Sequence, residues 1–184
     1  MPMMMMRQLA LRSAAAVGLV AVCLPAPANA QTSKSAAVAK ELVTVLDQKK
    51  LDSIAAKVPS GNDQFAAALY FPGVQLLVIS GRYSAPQLME PRLAKKDYRD
   101  TYMELTGTVA PETKVFVQDM GTPGLAQRQQ DNTYDTWTQG AKVVMFDGDH
   151  DKQKMSEADY LKSFTAADEE YATILGALLA EAKK

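Results

Sequence analysis

The chain carries one cysteine, Cys23, and one histidine, His150, in 184 residues. A lone cysteine forms no internal disulfide. If it leaves with a cleaved leader, thiol catalysis, thiolate metal sites and iron–sulfur clusters leave with it. A single histidine excludes H-E-x-x-H, and a nucleophile–His–acid triad would have to use His150. G-x-S-x-G, G-x-x-x-x-G-K-[ST] and G-x-G-x-x-G are all missing. Neither sign of charge prevails: 20 Lys and Arg face 21 Asp and Glu, a formal net charge of -1. That balance gives no electrostatic case for nucleic acid. No internal repeat recurs at a fixed period.

What is present suits a globular domain, with 47% hydrophobic and 22% charged residues. The first 30 residues read as a secretory signal peptide. Arg7 and Arg12 form a positive n-region, residues 13–24 are small or apolar, and Ala28-Asn29-Ala30 is an A-x-A cleavage site. The apolar run is shorter than the roughly 20 residues of a membrane span. Cleavage after Ala30 is expected to leave residues 31–184 as a single domain, periplasmic or extracellular. Val20-Ala21-Val22-Cys23 resembles a bacterial lipobox, so a lipoprotein anchored through Cys23 is the minor alternative, although Val22 departs from the small residue usual there.

Val38, Leu42, Val45 and Leu46 recur at helical spacing, and so do Leu51, Ile54, Ala55 and Val58. The two stripes point to nearly opposite sides of one straight helix. The spacing therefore predicts two helical pieces with a break near residues 47–50. Alternation over residues 65–71, the run Leu76-Leu77-Val78-Ile79, and residues 114–119, 134–138 and 141–146 read as five strands. Pro72-Gly73 marks a hairpin looser than a tight two-residue turn. Pro91 opens a predicted middle helix ending at Gly107. Ser156 with Asp159 and Thr165 with Asp168 are two alternative start signals for a last helix, whose buried stripe is Tyr171, Ile174, Leu175, Leu178 and Ala182.

The fold class is therefore α+β: one antiparallel sheet of about five strands with flanking helices, in the order α-β-β-α-β-β-β-α. This order resembles the roadblock and profilin-like folds over nearly all of residues 31–184. The resemblance is one of element order, and it carries no functional residues. The alternative is a flavin-type split barrel.

Asp147-Gly148-Asp149-His150-Asp151 resembles the first half of an EF-hand loop. Lys152 stands where that loop needs Gly, and Ala158 stands where it needs a bidentate Glu. Solvated turn residues are the simpler reading, so no metal site is assigned. Residues 120–133 form a connection too long for a hairpin, with two glycines, a proline and no apolar period. Such a loop lies on the surface and is the expected contact region, with Arg128, Tyr134 and Trp137 as candidate binding residues. The aromatics Tyr134, Trp137, Tyr98 and Tyr102 also fit plain core packing.

Three functions follow. The first is a secreted or periplasmic binding or interaction module without catalysis, needing no cofactor, whose partner is a protein or small molecule and whose oligomeric state is open. The second is a flavin- or haem-binding protein, drawing on Arg82, Arg99 and Arg128 for phosphate. Its haem ligands would come from His150, a tyrosine, or Met89, Met103, Met120, Met145 and Met155. The third is a carboxylate-dependent hydrolase built on Asp119, Asp147 and Asp149.

Overall fold

Ser33 starts the first helix, α1 (Lys34–Lys49), by accepting a hydrogen bond from the Ala36 N–H at 3.0 Å. The helix ends at Lys50, whose left-handed φ of 56° turns the chain, and the Leu51 N–H closes the end on the Leu46 carbonyl at 2.9 Å. The break expected near residues 47–50 is thus present in this computed structural model, which describes residues 33–59, 64–82, 114–127, 135–146 and 155–184. All of these belong to the unit formed by Gln31–Lys184.

Past that break the sequence reading needs correction. Leu51, Ile54, Ala55 and Val58 do not continue as a helix; Ser53–Val58 is strand β1. Every residue of β1 except Lys57 is buried, so both faces carry apolar or small side chains. With no polar face to alternate against, the six residues show no period of two, and helical spacing arises by coincidence.

The remaining strands are β2 (Gln64–Phe71), β3 (Gln75–Arg82), β4 (Val115–Met120), β5 (Asp135–Gln139) and β6 (Lys142–Phe146). They form one antiparallel sheet in the order β1-β2-β3-β4-β5-β6. The class is α+β as expected, but with six strands, since β1 adds one. Three strands, not two, precede residues 83–113. The middle helix expected from Pro91 lies outside the described residues.

The register fixes which side chains share a face. Ile54, Ala68, Val78, Val117, Trp137 and Val144 stand opposite one another across the six strands, and each is 5% exposed or less. Tyr70, Leu76 and Asp119 lie two residues along on the same face. So do the paired Asp135 and Phe146. Both helices cover this face. The last helix, α2 (Glu157–Ala182), packs on α1, β1 and β2. The small inward side chains of Ala56, Ala66 and Ala68 let it approach the sheet. Phe146 meets Tyr160 and Phe164 of α2 edge-on, at ring-centre distances of 6.0 and 5.1 Å.

Helix α1 crosses the strands instead of running along them. Near its start, Ala36 lies against Gly124, in the connection after β4. Near its end, Asp47 accepts a hydrogen bond from the Tyr70 hydroxyl of β2 at 3.1 Å. The two contacts lie at the same end of the sheet, where β2 turns into β3 and β4 runs into residues 121–127.

Candidate functional site

The connection after β4 is where buried polar groups gather. Asp119 and Asp135 are fully buried, and Asp168 nearly so. Asp119, next to last in β4, turns one carboxylate oxygen, Oδ2, to the Gly124 N–H at 2.7 Å. The same oxygen accepts from the Tyr171 hydroxyl of α2 at 3.0 Å. Asp135 opens β5 and accepts from the Met120 N–H at 2.8 Å and from the Ala126 N–H at 2.7 Å. The Ser35 hydroxyl of α1 accepts from the Leu125 N–H at 2.9 Å. Residues 121–127 thus have consecutive backbone donors, on Gly124, Leu125 and Ala126, held by side chains of β4, α1 and β5.

A third carboxylate ties the helices. Asp168, in the middle of α2, accepts from the N–H groups of Lys34 and Ser35 at 2.6 and 2.9 Å. It thereby caps α1 from a different helix, placing negative charge where the α1 dipole is positive. Beside it, Lys34 pairs with Glu169 at the surface.

Burial pushes the Asp119 carboxyl up to about 6, against the opposing pull of the Gly124 N–H and the Tyr171 hydroxyl. Its second oxygen, Oδ1, is buried with no hydrogen-bond partner. Burial, with the Asp119 charge adding to it, holds the Tyr171 phenol well above its ordinary value. A carboxyl that ionises near neutrality is the usual equipment of a general acid or base. Here it is fully buried, bonded to the Gly124 N–H and to the Tyr171 hydroxyl.

The exposed surface next to this cluster is formed by two turns. Pro72 and Gly73, the latter at φ 69°, turn β2 into β3, with the Val74 N–H bonded to the Phe71 carbonyl at 2.9 Å. The Val74 carbonyl in turn accepts from the Gly121 N–H at 2.6 Å, joining that turn to the 121–127 segment. Phe71 and Val74 are 43% and 57% exposed, and Pro72, Gly121 and Pro123 are exposed beside them. On the other side of Pro72 lies a cleft of about 360 Å³ lined by Leu46, Asp47, Lys50, Leu51, Asp52, Tyr70 and Pro72.

Of the candidate binding residues read from the sequence, Trp137 is described and lies in the buried row of the sheet, in the packing role that aromatics often take. Arg128 and Tyr134 lie outside the described residues, as do Arg99, Met89, Met103, Asp147, Asp149, His150 and Asp151. Arg82 ends β3 exposed, Met120 and Met145 are half-buried, and Met155 packs at the core margin. The acids proposed for hydrolysis are therefore placed only at Asp119. Among the described residues no group of three or more His, Cys, Asp or Glu is arranged to hold a metal, and no helix is long and apolar enough to cross a membrane.

Sequence reasoning missed Asp135, Ser35 and Asp168 as organisers of the site. Asp168 did carry a signal, as a helix-capping acid, but it caps α1 and not its own helix. Compared with known proteins, the chain matches no family model, no curated protein and no solved structure.

Proposed function

We propose that the protein is an exported, non-catalytic binding or interaction module that meets its partner with the paired turns at one end of the sheet. The observation that carries this reading is the exposed apolar pair Phe71 and Val74, hydrogen-bonded to a segment whose backbone is pinned by Asp119, Asp135 and Ser35. Large apolar side chains on a rigid base lose little freedom on association, which favours binding. Arg128 and Tyr134, further along the same connection in sequence, are included in this reading, and Trp137 anchors β5 beneath it. Export follows from the leader of residues 1–30. As to fold, an open sheet with both described helices on one face favours a two-layer arrangement over a split barrel. The roadblock and profilin-like likeness remains one of element order, from which the additional β1 departs.

The test compares wild type with a Phe71→Ser, Val74→Ser double variant by quantitative cross-linking in the envelope of the native host. Both side chains are exposed, so melting temperature should stay within about 2 °C, on the scale of surface substitutions. Selective loss of the wild-type cross-links supports the reading. Identical cross-links in both proteins, or turnover on a hydrolase substrate panel, refutes it.

A further inference from the structure

We propose that Asp119 is a proton-operated latch on residues 121–127: with its carboxyl neutral the segment seats against α1 and α2, and ionisation loosens it. The geometry supplies each part. Asp119 is fully buried, its Oδ2 holds the Gly124 N–H and the Tyr171 hydroxyl, and its Oδ1 has no partner. A full negative charge at such a place leaves half of the carboxylate unsolvated, which a neutral carboxyl avoids. The described groups that face it contain no cation to offset the charge. From α2 come Tyr171 and, a turn earlier, Asp168. From β5 comes Asp135, from β3 the apolar Leu76, and at the start of α1 the nearest group on the segment is the Ser35 hydroxyl, which holds Leu125. The Lys34 ammonium is turned outward to Glu169. Asp135 holds the flanking amides of Met120 and Ala126, so the segment is gripped on both sides of Gly124.

The sign follows from the direction of the shift. Burial raises the closed-state value from 3.8 to about 6, whereas an opened segment returns the carboxyl toward its ordinary value. The closed state therefore binds the proton more tightly, and opening becomes easier as pH rises toward 6 and levels off above it. The latch acts on the segment to which the Val74 carbonyl of the proposed interaction surface is bonded, but amide exchange reads the segment and cross-linking reads the surface, so failure of one is distinguishable from failure of the other.

Amide hydrogen exchange of Gly124, Leu125 and Ala126, corrected for intrinsic rates, reads the opening constant directly. In wild type it should rise about ten-fold between pH 5 and pH 7.5, from the two pKa values above. Asp119→Asn should abolish the rise. Tyr171→Phe, which removes a bond favouring the charged form, should move the levelling-off to higher pH. A wild-type opening constant constant within two-fold overturns the proposal. So does a rise that persists in Asp119→Asn, or, should that variant not fold, a levelling-off unmoved in Tyr171→Phe.

Discussion

At the scale of single residues, Gly124 and Asp119 set the energetics of the connection after β4. A Cβ at Gly124 would sit 2.4 Å from the Ala36 Cα, and its φ of +84° is one that side-chain-bearing residues rarely adopt. Gly73 has a similar φ of +69° but nothing within 4 Å of an added Cβ. Gly124→Ala should therefore cost about 3 kcal/mol, against about 1 kcal/mol of backbone strain for Gly73→Ala. Chemical denaturation checks the pair, and equal costs would show that α1 does not press on the segment. Asp119 gives a pH dependence opposite to that of most paired acids. Its folded value is raised to about 6 from 3.8. Its contribution is fully present below about pH 4 and lost as pH rises through 6, a change of about 3 kcal/mol across the window. The stability difference, Asp119→Asn minus wild type, should thus grow by up to that amount between pH 4 and pH 7.5. A difference independent of pH would count against a neutral Asp119 in the fold. Neither feature could be read from the sequence. Asp119 looked like any acid at a strand end, and a glycine in a loop does not announce which backbone lies against it.

At the scale of elements, legibility tracked how unequal the two faces of each segment are. Strand β4 alternates buried and half-buried residues, and its period of two was plain. Strand β1 buries both faces and was read as helix. The last helix offered two starts. Ser156 is the one used: it accepts from the Asp159 N–H at 3.2 Å and donates to the Asp159 carboxylate at 2.7 Å. Thr165 lies inside α2 and bonds back to the Leu161 carbonyl at 3.0 Å, a local bond that helix interiors do not need. Ser156→Ala should then cost about 1 kcal/mol and Thr165→Ala about zero or slightly less than zero, since alanine is the better helix former. Urea unfolding of the two variants decides it, and the reverse order would place the helix start at Thr165. Asp168 shows how a correct local signal can mislead: an acid three residues after a threonine fits a capping box, yet its partners are Lys34 and Ser35, some 130 residues away. Single-sequence patterns report neighbours along the chain and not across it.

At the scale of the whole molecule, the start of α1 bears on the proposed export. The helix is capped by Ser33 and by Asp168 from the far end of the chain, so its start is fixed by residues that a cut after Ala30 leaves in place. Such a cut would leave Gln31 and Thr32 ahead of Ser33 and remove Cys23. The expectation is that the full chain, produced in a host with an intact secretion system, is recovered from the periplasm or medium. Its N-terminus should be Gln31, and it should unfold at the same temperature as a chain made from Gln31 onward. N-terminal sequencing and intact mass read this directly. An acylated N-terminus at Cys23 would establish the lipoprotein alternative, and an unprocessed chain confined to the cytoplasm would refute export. Replacing Ala28 and Ala30 with glutamate should block the cut, because the small-residue site is what the peptidase accepts. If processing at Gln31 survives that change, the A-x-A reading of the leader is wrong.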